Sequence, residues 1–400
     1  MNDIDRIVSS FSRSTDEIFS LDEFRNCLES EKPLRIKYGV DVTAPFLHIG
    51  HAVNLWLMRE LQELGHKVVF LIGDFTTTIG DPTGKSKTRP VINESDIKHN
   101  SQEFINQVSR VLLTNPDVFE VRRNSEWFSK MSIADFVSLL SMVTFKKLIS
   151  RDMFQNRIEH DNDIYMHELI YPVMQGYDSV IVNSDLTIVG TDQLFNEMMG
   201  RFFQEKAGQN PQVIITTKIT PGIDGKEKQS KSLGNYIAIK DTPRVQFGKI
   251  MSIPDNLIVP YMEVYTILPL SWVQEVKQDL SKVDVNPMGC KLELAEAIVE
   301  RYYGAEIALQ EKEWFIKTFS KHETPEEIPL VKLKESNITV LQLLKLCLPE
   351  ESTSTLRRLV QQGAVERDNV KLRDANAIVN ASGEFTLKCG KRRWFRIVRD

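Results

Sequence analysis

The amino-acid sequence predicts an α/β protein whose first half folds around a parallel β-sheet. Short apolar segments with the length of strands alternate there with segments that have helical spacing. Alternation of strand, helix and strand is typical of parallel sheets whose faces are covered by helices. Because ligands of such folds bind at the carboxyl ends of the strands, functional residues are expected in the loops that follow them.

The predicted strands and helices follow one another from residue 35. The predicted strands are Arg35–Val40, Lys67–Ile72, 186–189 and 212–217. A loop at 41–46 follows the first strand, and residues 50–64 carry apolar side chains at helical spacing. Gly65 then supplies a helix stop. A further helical stretch is expected between the last two strands.

The second half of the chain changes character. From about residue 244 to residue 319 the apolar spacing is helical, as in Met288–Tyr303. Residues 320–337 are charged, contain two prolines and predict a linker. A compact basic segment, 338–400, completes the sequence, which shows neither an internal repeat nor a low-complexity tract.

Length and composition exclude several classes of protein. At 400 residues, 42% hydrophobic and 26% charged, the chain is too long for one ordinary domain and is not disordered throughout. Its longest apolar runs are too short to span a bilayer, and its amino terminus lacks the apolar core of a secretory signal. The four cysteines, each more than 40 residues from the next, argue against a disulfide framework or a zinc clip. We therefore expect a cytoplasmic protein that does not enter a membrane.

Charge is distributed unevenly along the sequence. Residues 336–400 carry 12 basic and 7 acidic side chains, for a net charge of +5, although the whole chain carries −5. The rest of the chain must therefore carry −10. An acidic body with a basic tail is typical of a protein whose tail meets a polyanion.

A first polar cluster, HIGH at 48–51, stands where the first predicted helix begins. His48 and His51 are three residues apart, so they face the same way at a helix start, where the dipole and free N–H groups favour an anion. Gly50 allows a ligand to approach the backbone closely. With no nearby Glu or Cys to complete a tetrahedral set, a metal site is disfavoured.

A second cluster, GKEKQSKSLGN at 225–235, combines lysines, hydroxyls and glycines in one loop. Such a loop can surround a polyphosphate with positive charges and hydrogen-bond donors. Taken alone, either cluster could be ordinary solvated surface. Their occurrence together, in this order, favours binding of a phosphate ligand.

With these two clusters the sequence resembles the class I aminoacyl-tRNA synthetases, and most closely the bacterial tyrosyl-tRNA synthetases. HIGH matches the first signature of that class without a mismatch, and KQSKS at 228–232 matches the second at four of five positions. YGVDVTAPFLHIGH, IGDFTTTIGDPTGKSKTR, HELIYPVMQGYDS, GTDQLFN and KQSKSLGNYI appear in family order. The resemblance covers nearly the whole chain.

The resemblance implies a domain order and an activity. The expected parts are a Rossmann-like catalytic domain with an inserted dimerisation and acceptor-stem segment at 1–225, the signature loop with a helical anticodon-side domain at 226–319, the linker 320–337, and a small α+β RNA-binding domain similar to a ribosomal protein at 338–400. The implied activity is a tyrosine–tRNA ligase. It would join L-tyrosine to ATP as tyrosyl-adenylate, release pyrophosphate and pass the tyrosine to tRNA(Tyr).

The resemblance also assigns the residues that bind tyrosine. Tyr38 and Asp178 match the positions that meet the phenol hydroxyl, which needs both an acceptor and a donor. The amine is expected to meet polar oxygens. The family positions matched there are Asp81, Tyr171 and Gln175, and Gln193 is a further residue implied to bind tyrosine. Because Tyr171, Gln175 and Asp178 fall at i, i+4 and i+7, one helix face would present all three.

For ATP, the resemblance implies binding by His48, Gly50, His51, Gly190, Asp192 and Lys231, with Asp192 on the ribose. The side chains implied in catalysis are His48, His51, Lys85, Arg89, Lys228 and Lys231. The four cations among them, Lys85, Arg89, Lys228 and Lys231, are expected to surround the leaving pyrophosphate. Each of these lysines, taken singly, is typical of an ordinary surface charge. No metal is expected to be held by protein ligands, no cofactor to be tightly bound, and Mg²⁺ to arrive with ATP.

The basic tail is implied to bind tRNA, and the enzyme to be a homodimer. The residues expected at the RNA are Arg357, Arg358, Lys391, Arg392 and Arg393, with Trp394 as a possible stacking surface. Residues 354–363 predict an amphipathic helix that ends at Gly363, with Leu356, Leu359 and Val360 packed inward.

Two positions depart from the family pattern and leave alternatives open. Val189 stands where Gly is usual, and Gln229 where Met is usual. One alternative is a paralogue that serves a modified tyrosine or confers resistance. Another is an RNA-binding protein that uses a synthetase body without catalysis. The residues that argue against it are the intact His48, His51, Lys231 and Asp178.

Overall fold

In the computed structural model the chain forms two compact units, Met1–Lys312 and Glu313–Asp400. The residues that the structure describes are 3–30, 32–43, 46–81, 93–230, 233–282, 285–320, 328–333, 337–368, 370–380, 383–390 and 393–399.

A six-stranded sheet forms the centre of the first unit. Its strands are β1 (Thr15–Phe19), β2 (Arg35–Val40), β3 (Lys67–Ile72), β4 (Phe119–Arg123), β5 (Leu186–Gly190) and β6 (Val213–Thr217). The spatial order is β1-β6-β5-β2-β3-β4, and all neighbours are parallel except β1 with β6. The predicted α/β class and its four strands are confirmed. The strands β1 and β4 were not predicted, and their charged residues suit the two edges of the sheet.

The direction of the chain reverses at the centre of this sheet. From β2 the chain moves outward through β3 to β4, whereas β5 returns to the other side of β2 and leads outward to β6. The two halves leave the sheet in opposite directions, so a crevice opens at the carboxyl ends of β2 and β5. The loops after these two strands therefore face a ligand-sized space.

Helices pack on both sides of the sheet. Those that begin in the first unit are α1 (Asp3–Ser12), α2 (Leu21–Glu29), α3 (Ile49–Glu63), α4 (Asp74–Thr77), α5 (Glu94–Val108), α6 (Ser125–Phe128), α7 (Ile133–Ser141), α8 (Phe145–Ile149), α9 (Asp152–Glu159), α10 (Met166–Ile181), α11 (Leu194–Lys206), α12 (Pro243–Met251), α13 (Ile258–Tyr265), α14 (Leu270–Leu280), α15 (Met288–Tyr303) and α16 (Ala305–Phe315). The predicted helical character after residue 244 is confirmed, and α15 has the bounds quoted from its spacing. Gly65 adopts a φ of 88° just after α3, which is the left-handed conformation that ends a helix.

The core of the first unit lies between the sheet and these helices. Central strands are buried along nearly their whole length, as the pattern of β3 and β6 shows. Ile36, Phe70 and Ile215 from three strands pack with Leu55 and Met58 of α3 in one apolar cluster. This packing fixes α3 against the sheet, and its amino-terminal end lies at the crevice.

The second unit has its own small core. Its elements are a π-helical turn (Ile316–Ser320), β7 (Leu330–Leu333), β8 (Asn337–Thr339), α17 (Val340–Cys347), α18 (Thr353–Gln361), β9 (Val365–Arg367), β10 (Val370–Lys371), β11 (Ile378–Asn380), β12 (Phe385–Cys389) and β13 (Arg393–Arg399). They form a five-stranded sheet, β10-β9-β12-β13-β7, and a two-stranded sheet, β11-β8. The predicted α+β character is confirmed, and Leu356 and Val360 of α18 are buried with Leu359 packed against them.

The segment interpreted as a linker contains a strand. β7 lies within residues 320–337 and pairs in parallel with β13, from Leu330 beside Arg396 to Leu333 beside Arg399. Leu333 is buried in the core of this unit. The charge and proline content of this segment predicted a linker, although four of its residues form the edge strand of a sheet.

None of the helices in the described ranges is both long enough and apolar enough to cross a bilayer.

Truncation of Leu356 to Ala should loosen the second unit. Its side chain is fully buried on α18, and loss of such a leucine typically costs about 2–5 kcal/mol. Leu346→Ala is the matched control, because Leu346 on α17 is 55% exposed and its loss should cost at most about 0.5 kcal/mol. Amide hydrogen exchange in β12 would measure both. Equal exchange rates in the two variants would contradict the packing described for this unit.

Candidate functional site

A cavity of about 510 Å³ opens at the carboxyl ends of the central strands in the first unit. Asp41 follows β2 into it, Gly73 follows β3, and Asp192 follows β5. The predicted site residues that line this cavity are Tyr38, His48, Gly50, His51, Asp81, Tyr171, Gln175, Asp178, Gly190, Asp192, Gln193 and Lys228. Residues assigned to two ligands thus surround one continuous space.

Some predicted site residues fall on parts of the chain that the structure does not describe. Lys85, Arg89 and Lys231, expected at the pyrophosphate, and Lys391 and Arg392, expected at the RNA, lie outside the described residues.

The two histidines form a compact pair at the start of α3. His48 is the N-cap residue, and the ring centroids of His48 and His51 are 3.8 Å apart. The backbone N–H of His48 donates to Nδ1 of His51 at 3.3 Å. Because Nδ1 of His51 accepts this bond, its ring proton resides on Nε2, where it is a donor.

Burial keeps both imidazoles neutral. It lowers the pKa of His51 from 6.5 to about 4, with Asp192 opposing the shift and Lys228 adding to it. Burial, the neighbouring His51 and Lys228 hold the pKa of His48 well below its ordinary value. The pair therefore offers uncharged hydrogen-bonding groups at neutral pH.

The second signature cluster lies directly beside the first. The backbone N–H of Ile49 donates to the carbonyl of Ile237 at 3.0 Å, and His48 forms a β-bridge with Ala238. At Gly50 an added Cβ would lie 2.9 Å from Nδ1 of His48 and 3.6 Å from Nε2 of Gln229. Glycine suits this position because the ring of His48 occupies the space that a Cβ would need, whereas Gln229 lies at an ordinary contact distance.

Gln229, which replaces the usual Met, is buried and hydrogen-bonded at both ends of its amide. Its Nε2 donates to the hydroxyl of Tyr265 on α13 at 2.9 Å, and its Oε1 accepts from the backbone N–H of Ile237 at 3.3 Å. Tyr265 is also hydrogen-bonded to Thr220. The glutamine therefore ties the signature loop to α13 by polar contacts.

Lys228 and Asp192 form an ion pair across the cavity mouth. Nζ of Lys228 lies 3.2 Å from Oδ2 of Asp192, with the lysine side chain 55% exposed. At Gly190 an added Cβ would lie 2.8 Å from Oδ1 of Asp192, so glycine allows the carboxylate to fold back over β5. A half-exposed cation and a carboxylate are thus next to the neutral histidines.

A network of side-chain amides, of which Asn196 is buried and Gln175 and Gln193 are half-buried, lies in another part of the cavity. Gln193 donates to Oδ2 of Asp81 at 2.9 Å, and Asn196 donates to both Gln175, at 2.8 Å, and Gln193, at 3.0 Å. Gln175 in turn donates to Glu197 at 2.8 Å. The predicted residues Asp81, Gln175 and Gln193 are therefore joined in one hydrogen-bonded group.

Close packing of α10 on α11 brings this group together. A Cβ added at Gly176 on α10 would lie only 2.9 Å from the backbone of Met199 on α11, so the two helices can pack this closely only with glycine here. Tyr171, one turn before Gln175, donates from its hydroxyl to Oδ2 of Asp41 at 3.1 Å. The expected helix face with Tyr171, Gln175 and Asp178 is confirmed as part of the cavity wall.

Asp178 is held at the base of the cavity by two donors. Nε1 of Trp127 donates to Oδ1 at 3.0 Å, and the amide of Asn124 lies 3.4 Å from Oδ2. Burial raises the pKa of Asp178 to about 7, although Lys37 and these two hydrogen bonds oppose the shift. Additional favourable contacts to its carboxylate would lower this pKa.

Tyr38 and Asp178 both line the cavity, but in this structure their side chains have different hydrogen-bond partners. The ring of Tyr38 stacks on Phe70 with centroids 6.1 Å apart, and its hydroxyl is hydrogen-bonded to Asn54 of α3. Successive strand residues point to opposite faces, so Tyr38 faces α3 whereas Lys37 faces α10. The side chain that sequence reasoning missed beside Asp178 is Lys37.

Other missed residues are Asp41, Asn124, Trp127, Asn196 and Glu197. Asp41 and Glu197 fall within or beside family segments already quoted, so their polar character was visible but not interpreted. The signal for Lys37 was a lysine inside an otherwise buried strand, where a charge needs a partner. Within the described ranges, no group of three or more His, Cys, Asp or Glu side chains is arranged to hold a metal ion.

In the second unit, the basic residues differ in their availability. Arg357 and Arg358 are exposed on α18, whereas Arg393 forms an ion pair with Glu351 at 2.8 Å. Trp394 is only 8% exposed, with the ammonium of Lys388 4.8 Å from the centre of its ring. The expectation that Trp394 offers a stacking surface is wrong, because its ring is packed against the sheet.

Known proteins with similar sequences belong to a family of tRNA synthetases. The sequence profile of the family described as "tRNA synthetases class I (W and Y)" matches residues 29–320. The tyrosine–tRNA ligase of Moorella thermoacetica is 41% identical over 375 residues, which cover 94% of this chain and 90% of the relative. That of Francisella tularensis is 40% identical over 398 residues, which cover 100% of both. The chain therefore belongs to the class I tRNA synthetase family.

Solved structures share the fold. A truncated mitochondrial tyrosyl-tRNA synthetase from Aspergillus nidulans aligns with a TM-score of 0.64 at 20% identity, covering 79% of this chain and 94% of its own. Tyrosyl-tRNA synthetase from Archaeoglobus fulgidus, solved with L-tyrosine, aligns with a TM-score of 0.59 at 20% identity, covering 77% and 99%.

The imidazole of His51 should titrate near pH 4 in the folded protein and near 6.5 after unfolding in urea. Because the unfolded ring binds its proton first, the folded state loses stability as pH falls below 6.5, by about 2 kcal/mol at pH 5. No such loss occurs above pH 6.5. NMR of labelled histidine would give the midpoint, with His51→Gln to assign the signal. A folded-state midpoint at or above 6 would show that the ring is solvated.

Proposed function

We propose that this member of the class I tRNA synthetase family is a tyrosine–tRNA ligase that acts as a homodimer in the cytoplasm. One cavity combines a buried carboxylate suited to a phenol hydroxyl with a neutral histidine pair suited to a nucleotide, and this observation carries the proposal. Identity of about 40% over nearly the full length of tyrosine–tRNA ligases supports the same function.

In the first step the carboxylate oxygen of tyrosine attacks the α-phosphorus of ATP. The bond from that phosphorus to the bridging oxygen breaks, and pyrophosphate leaves. In the second step a ribose hydroxyl at the 3′ end of tRNA(Tyr) attacks the acyl carbon of tyrosyl-adenylate and releases AMP. No enzyme nucleophile is needed, so catalysis comes from positioning and from charge complementarity to the transition state.

ATP enters as a substrate together with Mg²⁺, and we assign its binding to the side of the cavity lined by the signature clusters. The Nε2–H of His51 can donate to a phosphate oxygen, and Asp192 can accept from the ribose hydroxyls. Lys228 can leave Asp192 for a phosphate at little cost, because a half-exposed ion pair contributes little free energy. We assign Lys85, Arg89 and Lys231 to the leaving pyrophosphate by family resemblance.

The amine of tyrosine is assigned to the network around Gln175. Asp81 supplies a carboxylate, while Tyr171 and Gln193 supply oxygens that are already fixed by hydrogen bonds. A preorganised group of this kind loses little conformational entropy on binding. The ammonium group is therefore bound without rearrangement of the cavity wall.

A homodimer is supported by apolar side chains exposed between α7 and the start of α10. The exposed large apolar residues of this segment are Ile133, Val137, Met142, Phe145, Ile158, Tyr165 and Met166. Ile133 is 84% exposed and Met166 71%. Concentration of apolar side chains on one exposed segment is typical of a protein–protein interface.

Asp178→Asn should reduce tyrosine use far more than phenylalanine use. A hydrogen bond to a charged group contributes about 1.5–3 kcal/mol, so kcat/KM for tyrosine in ATP–pyrophosphate exchange should fall by roughly 10- to 100-fold. Asp117→Asn is the control, because Asp117 is exposed and lies away from the cavity lining.

The exchange assay with a panel of amino acids also tests the function itself. Exchange that depends most strongly on tyrosine supports the ligase. Preference for another amino acid would favour an altered substrate, and exchange with none would favour a non-catalytic RNA-binding role. If Asp178→Asn keeps the wild-type ratio of tyrosine to phenylalanine, the phenol is bound elsewhere.

Replacing Arg357 and Arg358 together by Ala should weaken tRNA binding and leave tyrosine-dependent exchange unchanged. Both side chains are exposed on α18, and removing an arginine that binds a phosphate should reduce the salt dependence of log Kd by about 1. The control, Lys130→Ala with Lys282→Ala, removes the same charge from exposed sites in the first unit. Equal tRNA affinities in the two double variants would exclude this face of α18 as an RNA-binding surface.

A further inference from the structure

Lys37 is a fully buried cation on β2. Its side chain is only 2% exposed, and its Nζ lies 2.8 Å from Oε2 of Glu197, a carboxylate that is equally buried. Nζ also donates to Oγ of Ser179 at 2.7 Å. Taking two charges out of water typically costs more than their attraction returns, so stability alone does not account for this pair.

Glu197 already has three hydrogen-bond or ionic partners among the described side chains. It accepts from Lys37, from Gln175 at 2.8 Å and from Gln212 at 2.8 Å. Lys37, in contrast, carries three N–H donors, of which two are used by Glu197 and Ser179 in the hydrogen bonds of the described residues. One donor of a buried ammonium is left for another acceptor.

The position of Lys37 identifies where that donor is available. Ser179, which binds its Nζ, is the residue directly after Asp178 on α10, and Lys37 and Asp178 both line the cavity. The charge of Lys37 also opposes the rise in the pKa of Asp178, which is an effect of proximity. Tyr38 uses its hydroxyl with Asn54 on the other face of the strand.

We propose that Lys37, and not Tyr38, is the second side chain that binds the phenol hydroxyl of the substrate. The hydroxyl donates its proton to a hydrogen bond with Asp178, and its oxygen accepts the third N–H of Lys37. This assignment rests on the proposed use of tyrosine. It makes the phenol site a pair of opposite charges rather than a carboxylate with a neutral partner.

A charged pair at this point strengthens discrimination against phenylalanine. A phenyl ring would fill the same space without a hydroxyl, and both the carboxylate and the ammonium would lose a partner in a desolvated site. The ionised form of Asp178 is the acceptor, and the ammonium favours that form. The other titratable groups that face Asp178 are Asp41, after β2, and Tyr171, on α10.

The decisive comparison is Lys37→Met against Tyr38→Phe, in ATP–pyrophosphate exchange with tyrosine and with phenylalanine. Lys37→Met should lower kcat/KM for tyrosine by roughly 10- to 100-fold and change that for phenylalanine little, because only tyrosine uses the missing donor. The acidic limb of the pH profile for tyrosine should move to higher pH, since Asp178 loses the cation that keeps it ionised. Tyr38→Phe should keep the ratio within about threefold.

A second variant separates a loss of specificity from a loss of folding. Lys37→Met leaves Glu197 as an unpaired buried charge, whereas Lys37→Met with Glu197→Gln removes both charges together. The double variant should show the same loss of preference for tyrosine. A purely structural role for Lys37 would reduce the use of both amino acids equally and leave the pH profile in place.

Each outcome supports or overturns the assignment. If Tyr38→Phe reduces the ratio of tyrosine to phenylalanine while the folded Lys37 variants retain it, Tyr38 binds the phenol and the proposal is wrong. If both variants retain the ratio, Lys37 has no part in specificity. Absence of tyrosine-dependent exchange in the unmodified protein would instead refute the proposed function, so the two failures are distinguishable.

Discussion

Between β2 and β5 the chain leaves the central sheet in opposite directions, and this reversal creates the space in which the described residues assigned to tyrosine and ATP lie. The crevice exists because neighbouring parallel strands send their crossovers to opposite sides. Asp41 and Asp192 reach it because they lie one and two residues after the ends of β2 and β5. The start of α3 reaches it because the apolar face of that helix is fixed to the same sheet. The topology thus fixes where hydrogen-bond acceptors such as Asp41 and Asp192 can line the crevice, and the sequence provides acidic residues at those strand ends.

Inside this crevice the physical problem is how to bury polar groups without leaving them unpaired. The structure solves it with a connected network that joins Asp81 through Gln193, Asn196 and Gln175 to Glu197. A network of this kind is costly when incomplete and rigid when complete. Such rigidity is useful here, because discrimination by one hydroxyl requires partners that cannot move to rescue the wrong substrate.

The sequence predicted the class of the fold, the four central strands of the sheet and many of the polar residues that line the cavity. These succeeded because buried parallel strands and the family motifs carry strong local signals. The assignment of Tyr38 to the phenol depends on finer detail, since one residue of register along β2 decides which face a side chain occupies. Lys37 and Tyr38 are adjacent and both polar, so the sequence alone does not decide which of the two faces the substrate side of the sheet. The strand β7 and the buried ring of Trp394 were missed because tertiary pairing overrides local charge.

Gln229 shows how a departure from a motif can preserve its purpose by different chemistry. A methionine at this buried position could offer only apolar contact, whereas the glutamine joins Tyr265 and the backbone of Ile237 in one chain of hydrogen bonds. The signature loop is consequently fastened to α13 by directional bonds, next to the histidine pair. A directional contact fixes the position of Lys228 on the loop more narrowly than a flexible thioether would. The substitution is therefore compatible with an intact nucleotide site, and it does not by itself indicate a different substrate.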